Sequence, residues 1–130
     1  MFMAFKNAIS WFEIPAIDVD RAQRFYEYIF SIKLIPLDMG EFKMRMFPLE
    51  NQIEGIGGAI CLAKEFYIPS AINGPLLYLN ADPDLQNVLE KVEAAGGKIT
   101  IPKRQISPEY GFMAVFIDCE GNRIALHSMA

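Results

Sequence analysis

A carboxylate and an imidazole stand near opposite ends of this chain. Glu13 lies in AISWFEI, and His127, the chain's one histidine, lies in RIALHS. Carboxylates and imidazoles are the side chains that most often move protons in catalysis. Brought together, Glu13 would take a proton from the carbon beside a carbonyl that His127 polarises. The competing reading makes them two partly solvated polar residues at strand ends. A nucleophilic thiol would need His127 beside Cys61 or Cys119, but both cysteines sit in apolar, strand-like segments and read as reduced, buried thiols. No CxxC motif and no Cys/His cluster is present, which argues against a structural zinc site.

Strand alternation says what accompanies these two groups. In a strand, residues two apart share a face. Trp11 and Glu13 therefore point one way, and Phe12 and Ile14 the other. Near the C-terminus, Arg123, Ala125 and His127 share a face, and in LLYLN so do Leu76, Tyr78 and Asn80. If these faces look onto one hollow, Glu13 and His127 are the catalytic candidates, and Trp11, Tyr78 and Asn80 line a small-molecule pocket. Such a pocket is an aromatic wall with a few convergent polar groups.

The elements that must position them repeat. A β-rich run at 8–14 ends at Pro15, and Asp18 then caps an amphipathic helix. Its apolar residues Ala22, Phe25, Tyr26 and Ile29 follow helical spacing. Strand patterns follow at 32–37, 42–47 and 57–62, then a turn-rich connector over 64–73. The order restarts with a strand at 76–80. Asp82-Pro83 predicts a helix start, and Leu85, Val88, Leu89 and Val92 repeat the apolar spacing 63 residues on. Gly96-Gly97 closes this helix, and strands are expected at 98–101, 112–117 and 123–128. The expectation is one α+β domain over residues 1–130, built from two βαβββ modules at about 1–63 and 74–130 around a central cleft. The rival is an α+β domain without internal symmetry.

Composition narrows the class. Twelve basic against sixteen acidic residues leave a net charge of −4, with no basic face for nucleic acid. No apolar run approaches the roughly 20 residues that span a bilayer. The N-terminal segment reads as structure, so a cytoplasmic protein without a signal peptide is expected. The expected partners are a small molecule and, to cover open sheet edges, a second copy of the chain.

Two motifs carry a family resemblance. Asp18-x-x-Arg21-Ala22-x-x-Phe25-Tyr26 and the closing Asp118-Cys119-Glu120-Gly121-Asn122-Arg123-Ile124-x-Leu126 resemble the opening helix and final hairpin of the vicinal oxygen chelate superfamily. That superfamily includes glyoxalase I, bleomycin-resistance proteins and extradiol dioxygenases. WFEIP and EGNRI-x-LHS are similar to a glyoxalase-related bacterial subgroup. The resemblance implies the two-module fold and a divalent metal acting as a Lewis acid on vicinal oxygens. It places the first-strand ligand at Trp11, the last-strand glutamate at Ala125, and the others at Leu76 and at Ala59 or Cys61. These positions lack the carboxylates and imidazoles that the metal needs, so the cofactor stays open between a divalent metal and none. Two functions are expected from it: a glyoxalase-related lyase or isomerase acting on a small oxygenated substrate with Glu13 as base, or a non-catalytic binding protein of the bleomycin-resistance type.

Overall fold

A computed structural model describes residues 1–130. The chain runs β1 (Trp11–Pro15), α1 (Val19–Phe30), β2 (Ile35–Met39), β3 (Phe42–Met46), β4 (Gly57–Leu62), then β5 (Leu77–Asn80), α2 (Gln86–Leu89), β6 (Lys98–Ser107), β7 (Gly111–Ile117) and β8 (Arg123–Ser128). Two four-stranded mixed sheets form, ordered β1-β4-β3-β2 and β5-β8-β7-β6. The second order is the first with each strand number raised by four, so the repeat in sequence is a repeat in topology. In each sheet the first strand pairs parallel with the last, and the remaining pairs are antiparallel.

Helix α1 forms where capping and periodicity agree. The Asp18 carboxylate accepts from the Arg21 N–H at 3.0 Å, satisfying one of the free amides of the first turn. Val19, Ala22, Phe25, Tyr26 and Ile29 form its buried face. Ser31 adopts a left-handed conformation and its N–H returns to Glu27 O. The Glu27 carboxylate takes the Leu34 N–H. The chain is thus committed to leaving the helix as far as Leu34, which is why β2 begins at Ile35 and not at 32. Its proline, Pro36, is tolerated because β2 is an edge strand.

Other boundaries shift for similar reasons. β1 covers only residues that pair with β4, so 8–10 are left out. β6 runs on to Ser107, past the expected 101, because β7 offers partners along its length. Register shifts between Ile101 and Arg104 accommodate Pro102. The second helix is one short turn. Asp82 does not cap it: its carboxylate accepts from Met129 N–H at 2.9 Å. Several bonds of the segment close over three residues, as in Val88 N–H to Leu85 O and Lys91 N–H to Val88 O, the tighter 3₁₀ pattern. Leu85, Val88, Leu89 and Val92 are nevertheless all buried, so the apolar spacing does its packing work without a full α-helix. Gly97 follows at a point where a side chain would meet Ile117 O at 2.7 Å.

A single apolar cluster joins the modules. It contains the buried faces of both helical segments and the inward residues of both sheets, among them Ile14, Ile60, Leu79, Phe116 and Leu126. Phe25 of α1 packs on Phe116 of β7 with ring centroids 5.9 Å apart. Polar contacts reinforce the join. The Glu120 carboxylate, from the β7–β8 turn, accepts from Ile17 N–H and Asp18 N–H at 2.7 Å each and from Arg21 Nε at 2.5 Å. Asp118 accepts from the buried Tyr26 hydroxyl at 2.7 Å, and Asn122 Nδ2 donates to Pro15 O at 2.7 Å. Hence the closing motif clamps the opening one. Arg21, though its side chain is half exposed, is the cationic half of this clamp.

Candidate functional site

With the helices on one side of each sheet, the opposite, open faces carry no helix, and their central residues are buried under neighbouring side chains while the flanks are exposed. The alternation expected from sequence is observed. Phe12, Ile14, Leu77 and Leu79 pack into the shared core. The open face of the first sheet carries Met44, Ala59 and Cys61, packed with Phe42, Met46 and Tyr67. That of the second carries Met113, Val115 and Ala125, packed with Leu76 and Ile101. Each is a small apolar patch, flanked on β1 by Trp11 and on β5 by Tyr78, which are 41% and 48% exposed. Large aromatic side chains left this open on a sheet face are available to a ligand or a second chain.

Glu13 lies at the centre of a cluster on the first sheet. Its register partner is Ala59 on β4. The Tyr67 hydroxyl donates to one carboxylate oxygen at 2.5 Å, and the Trp11 indole Nε1–H donates to the other at 3.2 Å. The Cys61 thiol, two residues along β4, is buried beside them. Burial, together with the charge of Glu13, pushes that thiol up to about 12, so it stays protonated at neutral pH. Burial and the hydrogen bond to Glu13 likewise hold the Tyr67 phenol above its usual range. Cys119, in the β7–β8 turn, is also pushed up to about 12, by burial and then by its hydrogen bond to Glu120. Neither cysteine is poised as a nucleophile. Tyr67 was not among the expected site residues, because it lies in the connector, where no strand or helix period assigns a direction.

His127 occupies the corresponding place on the second sheet. It pairs with Asn80 on β5 and Met113 on β7. Its Nε2 lies 2.6 Å from Tyr110 O. Asn80 uses its side-chain oxygen to accept from Asp82 N–H at 2.9 Å, and Tyr78 pairs with Ala125. The structure therefore brings Trp11, Glu13, Tyr67 and Cys61 together on one sheet, and Tyr78, Asn80 and His127 together on the other. No hydrogen bond joins Glu13 to His127, and the apolar patches beneath them are separate.

The donor set does not suit a resident metal. No three His, Cys, Asp or Glu side chains converge anywhere in the chain as ligands for an ion. Divalent ions need several such donors at once, whereas the open faces present indole, thiol, phenol and methyl groups around single polar residues.

No protein-family model matches the chain. A glyoxylase-like domain-containing protein from the fungus Didymella fabae is 33% identical over 127 residues, spanning 95% of this chain and 95% of that protein. Among solved structures, a glyoxylase/bleomycin resistance protein/dioxygenase domain from Frankia superposes with a TM-score of 0.71 at 16% identity, over 95% of this chain and 98% of that one. An antibiotic-binding protein from Streptomyces superposes with a TM-score of 0.68 at 20% identity, over 99% and 100% of the two chains. A glyoxalase I variant from Zea mays gives a TM-score of 0.71 at 19% identity, and this chain spans 44% of its length. At these identities the structural matches show a shared fold. No helix is long and apolar enough to cross a membrane.

Proposed function

Because this chain belongs to the glyoxalase-like proteins of the vicinal oxygen chelate superfamily, we propose that it binds a small, largely apolar or aromatic molecule against its helix-free sheet faces, without a metal at the superfamily's usual positions. One observation carries this reading. The ligand positions are filled by Trp11, Leu76, Ala125 and Ala59 or Cys61, where the resemblance calls for carboxylates and imidazoles. Ala59, Cys61 and Ala125 are buried under neighbouring apolar side chains, and Trp11 gives exposed apolar surface beside them. Such surface, with an occasional polar group to fix orientation, suits ligand burial. The Streptomyces antibiotic-binding protein shares the fold and supports binding as an outcome for it.

A homodimer completes this reading. Glu13 and His127 lie on the helix-free faces of different sheets. A second copy laid across those faces would cover Trp11, Tyr78 and the unpaired edge strands. Sedimentation is expected to give a species of twice 14.7 kDa; a protein that stays monomeric at high concentration would contradict the dimer.

The placement of the Glu13 carboxylate on the helix-free face, oriented by Tyr67 and Trp11, favours a second reading, a lyase or isomerase that uses Glu13 as base. The two readings separate cleanly. Under the binding reading, protein purified without added metal carries no stoichiometric zinc, nickel, iron or manganese. Glu13→Ala and His127→Ala then change ligand affinity. Under the catalytic reading, turnover of a small oxygenated substrate is found and is abolished in both variants. Stoichiometric metal, or turnover lost in both, would replace the first reading by the second.

A further inference from the structure

A cleft of about 380 Å³ opens at the seam between the modules, bordered by Glu13 of the first sheet's open face. Its walls are Phe12 and Ile14 of β1, Leu77 of β5 and Ile124 of β8, residues on the helix side of their sheets, with Ile68 of the connector and Pro75 just before β5. The size falls within the range of small-ligand pockets. One cation lines it, Arg123.

Arg123 is poorly satisfied. Its Nε is out of contact with water and has no hydrogen-bond partner. Its Nη2 reaches Gly74 O at 3.4 Å, a long and weak bond. It forms no ion pair, whereas Arg21 is paired with Glu120, and Arg45 with Asp20 and Asp38. The neighbouring polar groups of the cleft are already committed. Asn122 Nδ2 donates to Pro15 O and Asp118. Ser70 Oγ accepts from Ile72 and Asn73 N–H. Both Glu13 oxygens accept, from Tyr67 and Trp11. A partly buried guanidinium without a counter-ion, in an apolar cleft, lacks a planar anionic acceptor.

We propose that this seam cleft is a binding site for a small carboxylic acid with an apolar tail, the tail lying along Phe12, Leu77 and Ile124 and the carboxylate on the Arg123 guanidinium. Two parallel N–H···O bonds match the carboxylate fork. Its apolar wall is the helix side of the strands, whereas Glu13 and Arg123 have the parity of the open faces, so the cleft adjoins those faces at the seam. The Arg123 signal and the Leu77 and Ile124 methyl signals tell its ligand apart from one bound at Trp11.

Octanoate is the probe, with octanol and octylammonium as controls of the same chain length. Nuclear magnetic resonance of the full chain follows the arginine Nε–Hε signals and the Leu77 and Ile124 methyls during titration below the micelle concentration. Octanoate is expected to move the Arg123 Nε–Hε signal together with those methyls. In a folded Arg123→Gln variant, octanoate affinity is expected to fall about tenfold or more, the loss of one charge-assisted interaction, with octanol binding unchanged. An Arg123 signal unmoved by octanoate in the wild-type chain, equal octanoate affinity in folded Arg123→Gln, or tighter binding of octylammonium would each overturn the proposal. The wild-type titration decides the matter on its own if the variant does not fold.

Discussion

Replacing Glu120 with alanine is expected to cost about 3 kcal/mol of folding free energy, read as a fall in the urea midpoint at unchanged slope. The Glu120 side chain is completely buried, while its partner Arg21 remains 46% exposed. Truncation leaves the Ile17 and Asp18 amides without an acceptor at the entrance to α1, and a buried unpartnered donor costs more than the bond it made. Arg21 turns to water, which limits the loss. Glu120→Gln keeps an acceptor and is expected to lose about half as much. A loss below about 0.5 kcal/mol for the alanine variant, typical of an exposed surface change, would show that the clamp between the two motifs is unimportant.

The same group gives an acid signature. Burial acts to raise the Glu120 pKa, but the hydrogen bonds from Arg21 and from the Asp18 and Ile17 amides outweigh it, and the carboxyl sits below its ordinary 4.5. A carboxyl depressed in the folded state contributes stability that is present above the unfolded pKa and is lost as pH falls through the folded one. Wild-type protein should therefore lose this contribution as pH falls from about 4.5, and Glu120→Ala should not. Asp118 works in the opposite sense, since burial raises its carboxyl above 3.8. The difference between wild type and variant isolates Glu120.

Phe25→Ala is expected to be the most damaging substitution of a core residue, at about 3–5 kcal/mol. Phe25 is 2% exposed and contacts Tyr26 edge-on at 5.0 Å and Phe116 at 5.9 Å. It also stands opposite Gly97, where the backbone leaves no room for a compensating side chain. The two modules share one core through this contact, so the loss should appear as a single cooperative unfolding transition at lower temperature. Two transitions in calorimetry, with only the first module destabilised, would mean that the modules fold independently.

Much of the architecture was legible because local and long-range signals agreed. Asp18, the spacing from Ala22 to Ile29 and the DCEGN turn each dictate one local structure, and the repeat at Leu85–Val92 identifies the second module. Face assignments also followed from alternation, placing Trp11 and Glu13 opposite Phe12 and Ile14. The misses came where tertiary partners override local preference. Asp82-Pro83 looked like a helix start, but Asp82 is taken by Met129. β6 extends past Pro102 because β7 supplies its hydrogen bonds. In the site, Tyr67 and the roles of Arg123 and Glu120 depend on contacts 54 to 103 residues apart or on burial within the seam, and no period in the sequence encodes them. The joint placement of Glu13 and His127 was a matter of how two sheets sit, which alternation within each strand does not specify.

Trp11 is the chain's single tryptophan and lies on the open face beside Glu13, so its emission reports directly on that face. The decisive measurement titrates a neutral aromatic probe, N-phenylnaphthylamine, into the protein while following Trp11 fluorescence, once in excess chelator and once with added zinc. Saturable quenching with the same dissociation constant in both conditions is the expected result. Emission that never changes, or that responds only when the divalent ion is present, would contradict metal-independent binding at the sheet face.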